Sequence, residues 1–187
     1  MTLHDYLRKS AHAIDATIQM LDPQRSEQAI AAIVTAFCNK RPLLVCGNGG
    51  SASDAMHIAG EMVGRFLKER AAQKCIALSS NPAVLTAWAN DYSYVTVFSR
   101  QVEAYGESGG VVWGISTSGN SPNVVEALAQ AKKMGMTTIG MTGKNGAKMA
   151  PLCDILLDVP STETPIIQQV HVCLYHYICQ KVEEALV

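Results

Sequence analysis

Three residues at intervals of four, His57, Glu61 and Arg65, follow the glycine-rich run Gly47-Asn48-Gly49-Gly50-Ser51. On a helix that spacing stacks an imidazole, a carboxylate and a guanidinium on one face. A histidine beside a carboxylate can move protons or hold a divalent metal, while on a solvated helix the same pair is only a surface ion pair. A second run, Ser116-Thr117-Ser118-Gly119-Asn120-Ser121, carries four hydroxyls in six residues and leads into Pro122, a residue favoured in the first turn of a helix. Converging hydroxyls and free backbone N–H groups at a helix N-terminus form an anion site, and a phosphate monoester has enough oxygens to use several of them. Capping alone would need one serine.

These side chains need elements to position them. Apolar spacing predicts helices over Leu3 to Met20 and Gln24 to Asn39, separated by Asp22-Pro23. From Pro42 the pattern alternates. Strands are expected at Leu43–Cys46, Cys75–Leu78, Val111–Ile115, Thr137–Met141 and Ile155–Val159. Helices are expected at Ser53–Leu67, Pro82–Ala89, Pro122–Met134 and Thr164–Leu186, with a short one near Ala147. Apolar strands alternating with helices argue an α/β fold, a single doubly wound five-stranded parallel sheet covered on both faces. The expected division is 1–40 for an N-terminal helical hairpin, whose second apolar face suits an oligomer contact, and 41–187 for the α/β domain. Ligands of such folds bind beyond the carboxyl ends of the strands, where strand order reverses, and both polar runs follow strands.

Several functions are disfavoured. Gly47, Gly49 and Ala52 satisfy G-x-G-x-x-A, but the next strand ends in Ser79-Ser80, where a dinucleotide site needs a carboxylate for the ribose. There is no G-x-x-x-x-G-K-[ST]. Fifteen Lys plus Arg against 16 Asp plus Glu, without a basic cluster, give no footprint for nucleic acid or an anionic membrane. The six cysteines are scattered through apolar runs without a C-x-x-C, as expected of reduced, mostly buried thiols. No run approaches the ~18 apolar residues of a membrane span, and the opening MTLHDYLRKSAHAI has no leader pattern, so a cytoplasmic protein is expected. On the last helix, Gln168 and His176 interrupt an apolar series of Ile167, Val170, Leu174, Ile178 and Val182. They are either satisfied core residues or a polar pair facing a site, and His171 is assigned to the core.

Taken together, CGNGGSASDAMHIAGE, ANDYSYVTVFSRQVEA, GISTSGNSPNV, MTGKNG and IQQVHVCLYH resemble, in order, the blocks of the sugar isomerase (SIS) domain, and within it the sedoheptulose 7-phosphate isomerases, or phosphoheptose isomerases. The resemblance covers nearly the whole chain. It implies a flavodoxin-like SIS fold and a homotetramer with active sites between subunits. The implied reaction converts sedoheptulose 7-phosphate to D-glycero-D-manno-heptose 7-phosphate through an enediol, for lipopolysaccharide or another heptose glycan. It implies that Ser116, Thr117, Ser118 and Ser121 hold the phosphate and that Asn48, Gly49, Gly50, Ser51, Asn90 and Asp91 contact the sugar. His57, Glu61, Gln168 and His176 would surround one zinc ion per subunit, with Glu61 and His176 as the acid-base pair. The rival reading is a non-catalytic SIS-domain binding protein: a partner of the replication initiator, whose kind lacks the acid-base and metal residues that this chain carries, or a sugar-phosphate-sensing regulator, whose kind ordinarily carries an appended DNA-binding domain.

Two points of tension remain in the sequence. Gln168 and His176 are eight residues apart, about 12 Å along a continuous helix, so either the helix breaks between them or the ligands come from different subunits. Some family members place an acid three residues before the glutamine and a base two before it. This chain has Pro165 and Ile166 there, with Glu163 nearby as a substitute.

Overall fold

A computed structural model describes all 187 residues. Two helices, α1 (Leu3–Met20) and α2 (Pro23–Cys38), precede an alternating series: β1 (Leu43–Gly47), α3 (Gly50–Val63), β2 (Cys75–Ala77), α4 (Pro82–Asp91), α5 (Val97–Tyr105), β3 (Val111–Ser116), α6 (Pro122–Lys133), β4 (Thr137–Thr142), β5 (Ile155–Asp158) and α7 (Thr164–Ala185). Short 3₁₀ turns at Tyr94–Thr96 and Ala147–Leu152 join them. The helix starts follow local chemistry. Thr2 and Asp5 form a reciprocal capping box at α1, and Asp22 caps α2 ahead of Pro23.

All five strands are parallel, in the order β2-β1-β3-β4-β5. The order reverses between β1 and β3, so the crevice expected to take a ligand lies between the loops that follow those two strands. Side chains alternate across the sheet. Leu43, Val45, Val111, Trp113 and Ile115 point into a layer filled from α2, α3 and α7, whereas Leu44, Cys46 and Val112 meet residues of α5 and α6. Helix α1 lies outside this sandwich and packs on α7 through Ala13, near Val159, Ile166, Ile167 and Val170. No helix is long and apolar enough to cross a membrane.

The architecture is the one the alternation predicts, with two local differences. Helix α5 lies in a stretch for which no element is expected from the pattern; it buries Val97, Phe98, Gln101 and Val102, which form one face once the helix exists. Helix α3 begins three residues earlier than expected, at Gly50, and ends at Val63 because Gly64 leaves helical geometry (ψ −114°). Arg65 therefore falls beyond the helix and pairs with Glu69 (3.1 Å) rather than extending the His57–Glu61 stripe. Helix α7 runs unbroken from Thr164 to Ala185, as the expected Thr164–Leu186 helix does, so of the two alternatives for Gln168 and His176 the break does not occur.

A buried ion pair fixes the far end of α3 against α7. Arg70 donates from its guanidinium to the carbonyls of Glu61 (2.5 Å), Met62 (2.8 Å) and Gly64 (3.2 Å), oxygens that the end of a helix leaves without partners. Glu183 of α7 lies 3.4 Å from Arg70 Nε and accepts the backbone N–H groups of Phe66, Leu67 and Lys68. Both side chains are 2% exposed. Burial raises the pKa of Glu183, but the three N–H donors and the Arg70 charge outweigh it and hold the carboxyl below its ordinary value. Its contribution is therefore complete above the ordinary glutamate pKa of about 4.3 and is lost as the pH falls through the lower, folded value. Glu183→Ala should cost about 3–5 kcal/mol in urea unfolding at neutral pH, because it strands a buried guanidinium. The gap to wild type should narrow once the pH drops below about 4.

Candidate active site

The loop after β1 and the loop after β3 are tied together by two asparagines. Asn48 Nδ2 donates to Asn123 Oδ1 (2.9 Å) and Asn123 Nδ2 donates back to Asn48 Oδ1 (2.9 Å), which also accepts the Tyr94 hydroxyl (2.9 Å). Asn123, in the first turn of α6, is 2% exposed. The side chain expected to contact a sugar thus has its amide engaged in joining the two loops. Ser51 is buried in the first turn of α3. Asn90 and Asp91, at the exposed end of α4, bond to each other (2.8 Å), and neither side chain hydrogen-bonds to either loop.

In the serine loop, the Ser116 and Ser121 hydroxyls are 2.8 Å apart, and those of Ser116 and Ser118 3.4 Å. Ser121 occupies the N-cap of α6 yet makes no side-chain capping bond. Capping therefore does not account for its hydroxyl. Gly119 has φ +64°, and a Cβ there would meet the Gly146 carbonyl, which leaves glycine as the residue this turn accepts. Thr117 lies 3.3 Å from the hydroxyl of Thr164, the first residue of α7, which brings a second helix N-terminus to the loop. Thr164 is not recognisable as a site residue from its spacing; its place just before a proline at a helix start was the available signal.

Helices α3 and α7 run side by side in parallel. At their N-terminal ends the Gln168 amide fills the space a Cβ would take at Gly50. Beside it a cleft of about 390 Å³ is lined by Tyr6, Ser53, Asp54, Pro165, Gln169 and Val172 in addition to those two residues. Two turns further on, His57 Nε2 donates to Glu61 Oε1 (3.0 Å), and the ring of His176 stands edge-on to that of His57, with centroids 5.0 Å apart. One ligand atom from each of His57, Glu61 and His176 lies within 4.8 Å of the others. Two imidazoles and a carboxylate at this spacing fit a divalent metal such as zinc, leaving room for further ligands. Gln168 sits about two turns of α7 below His176, so within one chain it is not brought to this group.

Three groups around the site have other roles. His171 is fully buried and bonds the Thr142 carbonyl from Nε2 (3.1 Å), and burial pushes its pKa down to about 4, so it is a neutral core residue as expected. Glu163 turns to Lys9 of α1 (2.6 Å) and does not enter the position left by Pro165. Asp54, one turn before His57 on α3, has no sequence signature of its own. It is buried, its Oδ2 has no hydrogen-bond partner, and burial, opposed by His57, pushes its pKa up to about 6.

Residues 5–143 match the SIS domain family model. The phosphoheptose isomerase of Crocosphaera subtropica is 48% identical over 178 residues, 94% of this chain and 91% of its own length. Phosphoheptose isomerase GmhA from Neisseria gonorrhoeae is similar in structure with a TM-score of 0.91 at 38% identity, over 97% of each chain. A phosphoheptose isomerase from Francisella tularensis matches with a TM-score of 0.93 at 32% identity, over 98% of this chain and 100% of its own.

Asn123→Ala removes both bonds of the amide pair in a buried setting and should cost about 1–3 kcal/mol. Asn90→Ala, at an exposed position, should stay within about 0.5 kcal/mol of wild type. Denaturant midpoints of the two variants check whether the amide pair holds the loops together.

Proposed function

Because the chain belongs to the SIS-domain family, and within it to the phosphoheptose isomerases, we propose how its residues divide the work of isomerising sedoheptulose 7-phosphate. The protein is a sugar-phosphate isomerase. Moving a carbonyl between C1 and C2 takes a proton from one carbon and returns it to the next through an enediol, so a single carboxylate can carry it. Glu61 is that base. His176 handles the oxygen-bound protons of ring opening and enediol formation, since imidazole exchanges protons near neutrality. The observation that carries this reading is the convergence of His57, Glu61 and His176 where α3 meets α7.

The phosphate goes to Ser116, Thr117, Ser118 and Ser121; the three serine hydroxyls cluster at the start of α6, and that of Thr117 faces Thr164 at the start of α7. Asn48, Gly49, Gly50, Ser51, Asn90 and Asp91, with Gln168, contact the sugar. His57, Glu61 and His176 would hold the metal, and a bound zinc ion would polarise the sugar's carbonyl oxygen. Gln168 joins the set as a residue of a second copy, a reading supported by the unbroken α7. A homotetramer with shared sites satisfies that requirement, and the apolar residues Leu3, Leu7, Ile18 and Met20 left exposed on α1 support the N-terminal hairpin as one of its contacts. The product is D-glycero-D-manno-heptose 7-phosphate, made in the cytoplasm for a heptose-containing glycan such as lipopolysaccharide.

Glu61→Gln should lower kcat by about 10²–10⁴-fold in an assay of sedoheptulose 7-phosphate isomerisation, with little change in KM. Wild-type turnover in that variant would remove Glu61 as the base. Ser118→Ala combined with Ser121→Ala should instead raise KM, and an unchanged KM would count against the serine loop as the phosphate site.

A further inference from the structure

His57 is held at both ring nitrogens. Nε2 faces Glu61 Oε1 at 3.0 Å, and Nδ1 faces the hydroxyl of Tyr175 at 2.8 Å. A carboxylate only accepts hydrogen bonds, so the neutral ring carries its proton on Nε2, which leaves Nδ1 to accept from the phenol. That tautomer is the wrong one for binding a metal through Nε2. The proton must first sit on Nδ1, and the hydroxyl must then turn from donor to acceptor.

We infer that Tyr175 is a positioning residue for His57 whose hydroxyl donates to Nδ1 in the metal-free chain and accepts from it once Nε2 binds a metal. The inference rests on the metal reading of His57, Glu61 and His176. Metal-binding histidines usually back onto a carboxylate or a carbonyl, which accept and cannot donate. A phenol does both, so one residue supports either tautomer. Packing holds the Tyr175 ring in place, since it is 1% exposed and stands edge-on to both His57 (5.3 Å between centroids) and His176 (4.8 Å).

The test uses the 187-residue chain, stripped of metal and then loaded with zinc alone. Nitrogen-15 NMR of the histidine rings should show His57 protonated at Nε2 without metal. With zinc it should show a slowly exchanging proton at Nδ1. A metal-free ring protonated at Nδ1 overturns the assignment, and this measurement needs no variant. In competition with a chromophoric chelator, Tyr175→Phe should bind zinc about 10–100-fold more weakly than wild type and lose the slow Nδ1 proton, while His57→Ala abolishes binding. If Tyr175→Phe binds zinc as tightly as wild type, the positioning role falls and the metal site stands. If wild type takes up no zinc, the metal reading falls and the reversal with it.

Discussion

Two asparagine amides close a reciprocal pair of hydrogen bonds across the point where the sheet changes direction, and the geometry of the site depends on that bridge. Winding outward from β1 and β3 in opposite senses puts α3 on one face of the sheet and α6 on the other. Their N-termini are left side by side at the carboxyl edge, where unpaired backbone donors gather. Asn48 and Asn123 link these two ends, and Tyr94 adds a third strut from the segment that follows α4. With the loops joined in this way, the serine hydroxyls keep one another as neighbours and Ser121 is not drawn into capping its own helix.

The second constraint is the parallel contact of α3 with α7. Gln168 meets Gly50, Tyr175 meets His57, and Glu183 meets the backbone just past the end of α3. The three contacts recur at nearly constant spacing along both helices. The pair is thus in register from end to end, and a shift at one contact would disturb the other two. The Arg70–Glu183 pair anchors one end, so the carboxylate and the two imidazoles are carried on rigid backbone and not on loops.

Much of this was legible in the sequence, for physical reasons that also explain the omissions. Buried parallel strands read as apolar runs, and the four-residue spacing placed His57 and Glu61 on one face because helical periodicity is a property of the backbone. Arg65 followed the same arithmetic and failed because Gly64 ends the helix. The eight-residue separation of Gln168 and His176 left two alternatives, a break in α7 or ligands from different subunits, and α7 runs unbroken because nothing in its own residues favours a break. Tyr175 was concealed by its ring: an aromatic on an apolar stripe counts as core, and its hydroxyl gains meaning only when α3 brings His57 to within 2.8 Å. Asp54, Arg70 and Glu183 were missed for a related reason, since polar groups that are satisfied or stranded by distant segments leave no local pattern.

The fit of Gln168 into the space at Gly50 bears on how this protein can diverge. Any side chain at position 50 would occupy the volume the amide now fills. The obstacle is the far end of one flexible side chain and not backbone, so a larger residue at 50 is accommodated as the Gln168 amide swings aside. The two positions, more than a hundred residues apart in the chain, are therefore coupled through a single rotamer. What occupies position 50 decides where the amide of residue 168 can point.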